Sequence, residues 1–233
     1  MLNESFTEGA SLMESGGFIN SLIMLFQVGG VPVVCIAICM AVAIGLILER
    51  FIRLYLQYNI DGTSFMFEVQ KYVLANDLDG AIRLCNGSGG AVLPKVIKAG
   101  LQRASRDEHQ IQNAIDAASL EVIPKLERRV PFLALIANIA TLFGLLGTIT
   151  GLIKAFAAVA LADPAQRQAI LAAGISEAMN ATAFGLVTAI AAMIAHSLFV
   201  GRANKIMEEV DEFGVKLLDL LTARKFRHSS EKE

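Results

Sequence analysis

"PFLALIANIATLFGLLGTITGLIKAFAAVALA", Pro131 to Ala162, carries a single charge, Lys154. The turn "ADPAQRQ" follows, and then a second apolar run containing "GISEAMNATAFGLVTAIAAMIAHSLFV", Gly174 to Val200. A helix needs roughly 20 apolar residues to cross a bilayer. Both runs exceed that length, so each must tilt or project beyond the hydrocarbon. Joined by a short Pro-containing turn, they predict an antiparallel membrane hairpin. A third run, "VGGVPVVCIAICMAVAIGLIL", Val28 to Leu48, is uncharged throughout. The spacing predicts transmembrane helices over 28–48, 131–162 and 170–200. A water-soluble protein of 233 residues would have to hide all three inside one core.

Composition agrees. Hydrophobic residues make up 55% of the chain and mean hydropathy is +0.56, more apolar than soluble domains on average. The formal charge of −2 lacks the basic footprint of a nucleic-acid binder. Cys35, Cys39 and Cys85 have neither disulfide-framework nor zinc spacing. "MLNESFTEGASLMESGG" holds three Glu and no Lys or Arg. It lacks the basic start of a signal peptide, and no cleavage is expected.

Lys and Arg near the span ends set orientation. Arg50 and Arg53 follow the first span. Lys125, Arg128 and Arg129 precede the second, and Arg202 and Lys205 follow the third. These flanks are expected in the cytoplasm. The N-terminus, 1–27, and the turn, 163–169, with Arg167 alone, are expected outside it. Within 1–27, "FINSLIMLFQ" puts Phe18, Leu22, Leu25 and Phe26 on one face, an amphipathic helix suited to the membrane surface. The insert 49–130 reads as short amphipathic helices, one capped by Asp79 after "NDLDG". Its last helix, "DEHQIQNAIDAASLEVIPKLERRV", is expected to run on into the second span, kinked by Pro124 and Pro131. In 201–233, Val210, Phe213, Leu217, Leu220 and Leu221 recur at helical spacing, extending the third span into the cytoplasm; "SSEKE" reads as a frayed end. The fold expected is an all-α membrane protein, with three transmembrane helices continuing into a cytoplasmic helical bundle.

The hairpin is also polar in places. A membrane charge costs about 2.5–3.5 kcal/mol even on lenient scales, yet Glu177 lies in the third span. Counted from the turn, Thr148 and Thr182 fall at nearly one depth, as do Lys154 and Glu177 nearer the outer surface. Gly144, Thr148 and Gly151 share a side of the second span; Gly174, Thr182 and Gly185 form a small-residue strip on the third. With Gly147, these glycines let backbones approach closely. Glu177 admits two compatible readings: an ion pair with Lys154, or the border of a water-filled ion path. Asn180 suits helix packing or a cation ligand. A membrane threonine can equally bond its own helix. His196 falls at the cytoplasmic end of the third span. No P-loop, Ser–His–Asp set or metal motif accompanies these residues, so neither an enzyme nor a resident metal or cofactor is expected.

"LERRVPFLALIANIATLFGLLGTITGLIKAF" followed by "GISEAMNATAFGLVTAI" resembles the MotA/TolQ/ExbB family, closest to its ExbB/TolQ branch. The signs are Leu-Leu-Gly-Thr in the second span and the Glu-Ala and Ala-Thr-Ala pattern in the third. The resemblance implies a pentameric ring in the bacterial inner membrane. The ring would enclose two copies of an ExbD/TolR-like single-span partner, whose membrane aspartate carries the ion to act on a TonB/TolA-like or other periplasmic effector. Thr148 and Thr182 match threonines that face the aspartate, and Glu177 matches the channel glutamate. The chain departs from the pattern at Thr150, commonly aromatic, at Asn180, commonly aliphatic, and in the added Lys154. Extra oxygens raise the prospect of Na⁺, which would find ligands around Thr148, Asn180 and Thr182, whereas a proton needs one titrating carboxylate; H⁺ stays ahead because both new side chains also suit packing. The alternative function is a non-conducting scaffold in which Glu177 and Lys154 are purely structural.

Overall fold

The computed structural model describes residues 18–58 and 60–230, with side chains described over 30–56, 58 and 60–225. The expectations for residues 1–17 and 231–233 therefore lie outside the described residues, as do the side chains of the amphipathic segment 18–27. The described regular elements are helical: α1 Phe18–Phe51, α2 Gly62–Leu74, α3 Leu78–Gly87, α4 Val92–Leu101, α5 Glu108–Glu127, α6 Val130–Leu161 and α7 Arg167–Ser230, with a π-helical segment Ile52–Gln57 after α1. Three helical stretches are long and apolar enough to cross a membrane: Gly30–Leu56, over α1 and the π-helical segment; Glu108–Leu161, over α5 and α6; and Arg167–Lys225, in α7. The chain forms two compact units, residues 1–46 with 132–195, and 47–131 with 196–233.

The first unit holds most of α1, nearly all of α6 and the first part of α7. α1 is two helical pieces meeting at Gly30, whose φ of 61° and ψ of −164° are non-helical. Glycine tolerates that conformation, and Pro32 stands near the start of the second piece, where its missing N–H costs little. α6 ends at Leu161. The turn closes with Gln166 N–H bonding the Asp163 carbonyl at 2.9 Å and Arg167 Nε bonding the Ala162 carbonyl at 3.1 Å. The third apolar helix thus begins at Arg167, slightly inside the expected turn. Core residues here are largely small: Ala137, Ala140, Ala155, Ala178, Ala181 and Ala192 are all buried. Large side chains such as Leu142, Ile153, Leu186 and Ile190 point outward. Only 22–33% of the most apolar windows of the three spans is buried. Lipid or further protein must cover the rest, since exposed apolar surface on this scale is unfavourable in water.

The second unit is built differently. Phe65, Val69, Ile97, Leu101, Ile111, Leu126, Val210, Leu217 and Leu221 are buried. Side chains of this size each contribute about 1.5–3 kcal/mol when fully buried. Two of its short helices, α2 and α3, start on side-chain caps. Asp61 Oδ2 accepts from the Ser64 hydroxyl at 2.6 Å and its Oδ1 from Ser64 N–H at 3.4 Å and Thr63 N–H at 3.2 Å; the Ser64 hydroxyl first, then these N–H groups, hold its carboxyl below the usual carboxylate range. α3 is capped by Asp77, which accepts from Gly80 N–H at 2.7 Å. The expected cap, Asp79, lies inside the helix's first turn instead. The reason is the C-terminus of α2: Asn76 adopts a left-handed φ of 65°, ending that helix and leaving Asp77 at the next start. Burial pushes the Cys85 thiol up to about 11.

α5 does not run on into the second span. It stops at Glu127, Arg128 is extended with ψ 130°, and Arg129 takes φ 68° before α6 begins. Pro131 sits in the first turn of α6, where proline is tolerated, and proline disfavours a continuous helix through the residues before it. Arg129 Nη1 bonds Glu49 Oε2 at 2.5 Å, and Glu49 also lies 3.3 Å from Arg53 Nε. Arg50 is completely buried; its Nη1 reaches the Lys125 carbonyl at 3.4 Å, while Nε and Nη2 find no acceptor among the described residues.

Candidate functional site

The candidate site lies in the α6–α7 hairpin, and glycines set its geometry. A Cβ added at Gly185 would stand 2.6 Å from the Ala140 carbonyl oxygen and 3.0 Å from the Gly144 Cα. At Gly147 it would meet Ala181 Cβ at 2.5 Å, and at Gly151 the Ala178 Cβ at 2.9 Å; at Gly174 it would collide with Ala155. The two helices therefore touch backbone to backbone, as small-residue strips permit. The contacts also fix the register. Thr148 follows the Gly147–Ala181 contact directly, and Glu177 precedes the Ala178–Gly151 contact directly. Thr148, Thr150, Glu177, Asn180 and Thr182 thus fall within about two helical turns of the hairpin.

Their bonds are specific. Thr182 Oγ1 donates across the hairpin to the Gly144 carbonyl at 3.0 Å. Thr148 Oγ1 donates within α6 to the Leu145 carbonyl at 2.7 Å, and Thr150 Oγ1 to the Leu146 carbonyl at 2.9 Å. With its proton committed to a carbonyl, each hydroxyl presents lone pairs to its surroundings. Such oxygens suit a cation or a protonated carboxyl, which need acceptors, better than an ionised carboxylate. Thr148, Thr150, Thr182 and Glu177 are half-buried and Asn180 is exposed, so the polar set remains accessible from outside the single chain.

Sequence reasoning missed some of this. Thr188 is 97% buried and back-bonds to the Phe184 carbonyl at 3.0 Å, behaving as a packing residue. Pro32 lies 3.6 Å from the Gly147 Cβ position, which brings the start of α1's second piece onto the hairpin. A Gly-Gly-x-Pro stretch opening an apolar run was the available signal. The structure does not join Lys154 to Glu177: no ion pair links them among the described residues. Lys154 is exposed and its Nζ lies 3.3 Å from the Gly30 Cβ position, directing it toward the α1 kink. No hydrogen bond joins Glu177, Asn180 and the threonines to one another among the described residues. No cluster of three metal-ligating side chains occurs among the described residues.

Residues 90–212 match the MotA/TolQ/ExbB proton channel family, more than half of the chain and the whole candidate site. The chain belongs to this family. It is 41% identical over 104 residues to a Tol-Pal system protein TolQ from Haemophilus influenzae, covering 43% of this chain and 45% of that protein. To the TolQ of Pseudomonas aeruginosa it is 32% identical over 124 residues, covering 48% and 53%. These matches span about half the length of the TolQ relatives. A putative biopolymer transport protein ExbB-like 3 from Synechocystis is 27% identical over 172 residues, 73% of this chain and 81% of that one. Among solved structures, the chain superposes on Campylobacter jejuni MotAB with a TM-score of 0.55, covering 96% of this chain and 86% of that one at 15% identity, a likeness of fold. The family unites subunits of ion-driven motors and energy-transducing complexes, and the three apolar helices make this chain one of its membrane members.

Proposed function

We propose that the chain is the ring subunit of an ion-driven complex of ExbB/TolQ type, using H⁺ in preference to Na⁺. Five copies would surround two copies of a single-span ExbD/TolR-like partner whose membrane aspartate carries the ion. Flow would turn or load that partner, which would act on a TonB/TolA-like or other effector in the periplasm. The chain would sit in the bacterial inner membrane with its N-terminus periplasmic and its C-terminus cytoplasmic, and would conduct without acting as an enzyme. The observation that supports this most is the hairpin itself. A family-matched pair of apolar helices carries acceptor oxygens at Thr148 and Thr182 and one carboxylate, Glu177, yet no second acid for an ion to step to. A foreign carboxylate completes such a path.

The experiment is purification with the co-assembled partner, followed by reconstitution into liposomes. Native mass measurement should give about five copies of this chain with a smaller protein. Flux should follow a pH gradient and be indifferent to replacing Na⁺ by K⁺ at fixed pH. A lone monomer, or a ring without flux of either ion, would reject the reading.

A further inference from the structure

The start of α2 and one face of α7 line a cleft of about 330 Å³ that lies wholly within the second unit. Residues 60–63 form one wall; Arg202, Lys205, Glu209 and Phe213 form the other. The four α7 residues stand at i, i+3, i+7 and i+11, which places them on one side of the helix. The Phe213 end is closely packed: a Cβ at Gly62 would stand 2.6 Å from the Phe213 ring. The Arg202 end lies at the edge of the apolar stretches. Arg202 comes two residues after Val200, where the third apolar run ends. Its guanidinium lies over the Tyr55 ring at 5.6 Å, and the first apolar stretch ends one residue beyond Tyr55, at Leu56. Aromatic rings and basic side chains at span ends mark the level of the lipid headgroups.

Going away from the apolar run, the charges along α7 change sign. Arg202 and Lys205 come first, then Glu209, about 6 Å beyond Lys205 along the axis. Lys205 and Glu209 are one turn apart, yet no ion pair joins them among the described residues. Asp61, the fourth charge, accepts from the Ser64 hydroxyl and from Thr63 and Ser64 N–H, so it is occupied in capping α2. The four charges cancel. Such a cleft suits a ligand that is itself neutral overall, with its anion on the membrane side and a hydrogen-bonding cation on the water side. A phosphoethanolamine headgroup has that order: its phosphate is joined to the lipid glycerol, and its primary ammonium extends beyond. A glycerol headgroup would offer Glu209 no cation, and a choline headgroup would offer it no N–H. We infer that the cleft holds the headgroup of a membrane phosphatidylethanolamine. The phosphate accepts from Arg202 and Lys205, and the ammonium donates to the Glu209 carboxylate. Basic pockets beside membrane spans bind phospholipid headgroups on the same principle. This site is independent of ion conduction.

The test titrates the full-length protein, purified in detergent and stripped of lipid, with phosphatidylethanolamine, phosphatidylglycerol and phosphatidylcholine of identical acyl chains. Native mass measurement reads the lipid bound per chain. The wild type should take up phosphatidylethanolamine at least about tenfold more tightly than either other lipid, as charge-assisted hydrogen bonds at both ends of the headgroup require. Lys205→Gln should weaken that binding about tenfold. Glu209→Gln should abolish the preference over phosphatidylcholine while leaving the phosphate contacts. Lys205 is exposed and Glu209 half-buried, so neither substitution opens the core. Equal binding of the three lipids by the wild type overturns the site, as does a preference that survives both substitutions. Free phosphoethanolamine binding as tightly as the lipid would also overturn it, in favour of a soluble ligand. Should Glu209→Gln fail to fold, Lys205→Gln decides: unchanged affinity for phosphatidylethanolamine rejects the assignment.

Discussion

The two units of this chain use opposite packing strategies. In the first, alanines and glycines line the helix seam and most leucines and isoleucines point outward, although Ile36 and Leu133 are buried. In the second, leucines, valines and phenylalanines are inside, and aspartates cap short helices. Apolar burial stabilises only where water is the alternative. The second unit therefore gains from large buried side chains, as soluble domains do. Between helices in lipid that gain is absent, and close backbone contact with interhelical hydrogen bonds replaces it. The first unit thus relies mainly on close backbone approach, and the second mainly on large buried side chains.

Deleting bulk should hurt the second unit most. Leu217 is fully buried there. Leu217→Ala should destabilise by about 2–5 kcal/mol, read as a lowered melting midpoint of the purified complex. A change below about 0.5 kcal/mol would mean that this core is not packed as described.

In the first unit, adding bulk at the seam should hurt, because there the added methyl meets backbone. Gly185→Ala puts a methyl against the Ala140 carbonyl and should cost about 1–3 kcal/mol. Gly45→Ala, on α1 in the same unit, meets nothing within 4 Å and should be neutral or stabilising by about 0.5–1 kcal/mol. The two variants are compared by ring yield and melting midpoint. Equal behaviour would dissolve the distinction between the hairpin seam and the rest of the apolar surface.

Caps sharpen the contrast at lower energy. Asp77→Ala removes the bond to Gly80 N–H and should cost about 1 kcal/mol. Asp79→Ala, two positions on in the first turn, should stay within about 0.5 kcal/mol. The reverse order would reinstate the cap expected from sequence.

That pair also marks the limit of what the sequence discloses. Spans, hairpin and C-terminal extension are legible because length and apolarity are sums over many residues and survive local error. The Leu-Leu-Gly-Thr and Glu-Ala patterns made the family legible, and the match covers the hairpin that carries the candidate site. What depends on one residue's backbone is hidden. Asn76 in a left-handed conformation moved a cap by two positions, and Arg129 in another ended α5 where periodicity continued. Lys154 and Glu177 share a depth, and depth is countable. Which way Lys154 points depends on the Gly30 kink, which counting does not reveal. Arg50 served only as a mark of orientation in the sequence, yet it is fully buried.

The smallest structural effects should carry the largest functional ones, and they belong to the hairpin. Thr182→Val keeps the shape and removes the bond to Gly144, a loss of about 0.5–1.5 kcal/mol. Thr148→Val removes only a bond within its own helix turn, so the ring should assemble in both cases. If their lone pairs line the ion path, both variants lose ion-driven flux while the corresponding serine variants keep most of it. Glu177→Gln should behave like the valine variants: assembled and impaired. Lys154→Met supplies the control, because Lys154 points to the α1 kink and makes no ion pair with Glu177. Were the two a buried pair, losing either partner would destabilise by about 3–5 kcal/mol, and the double variant would recover both assembly and flux. With the pair absent, each single variant should assemble normally, and the double should be as inactive as Glu177→Gln alone. Recovery of flux in the double would return Glu177 to a structural role and leave the threonines alone on the path.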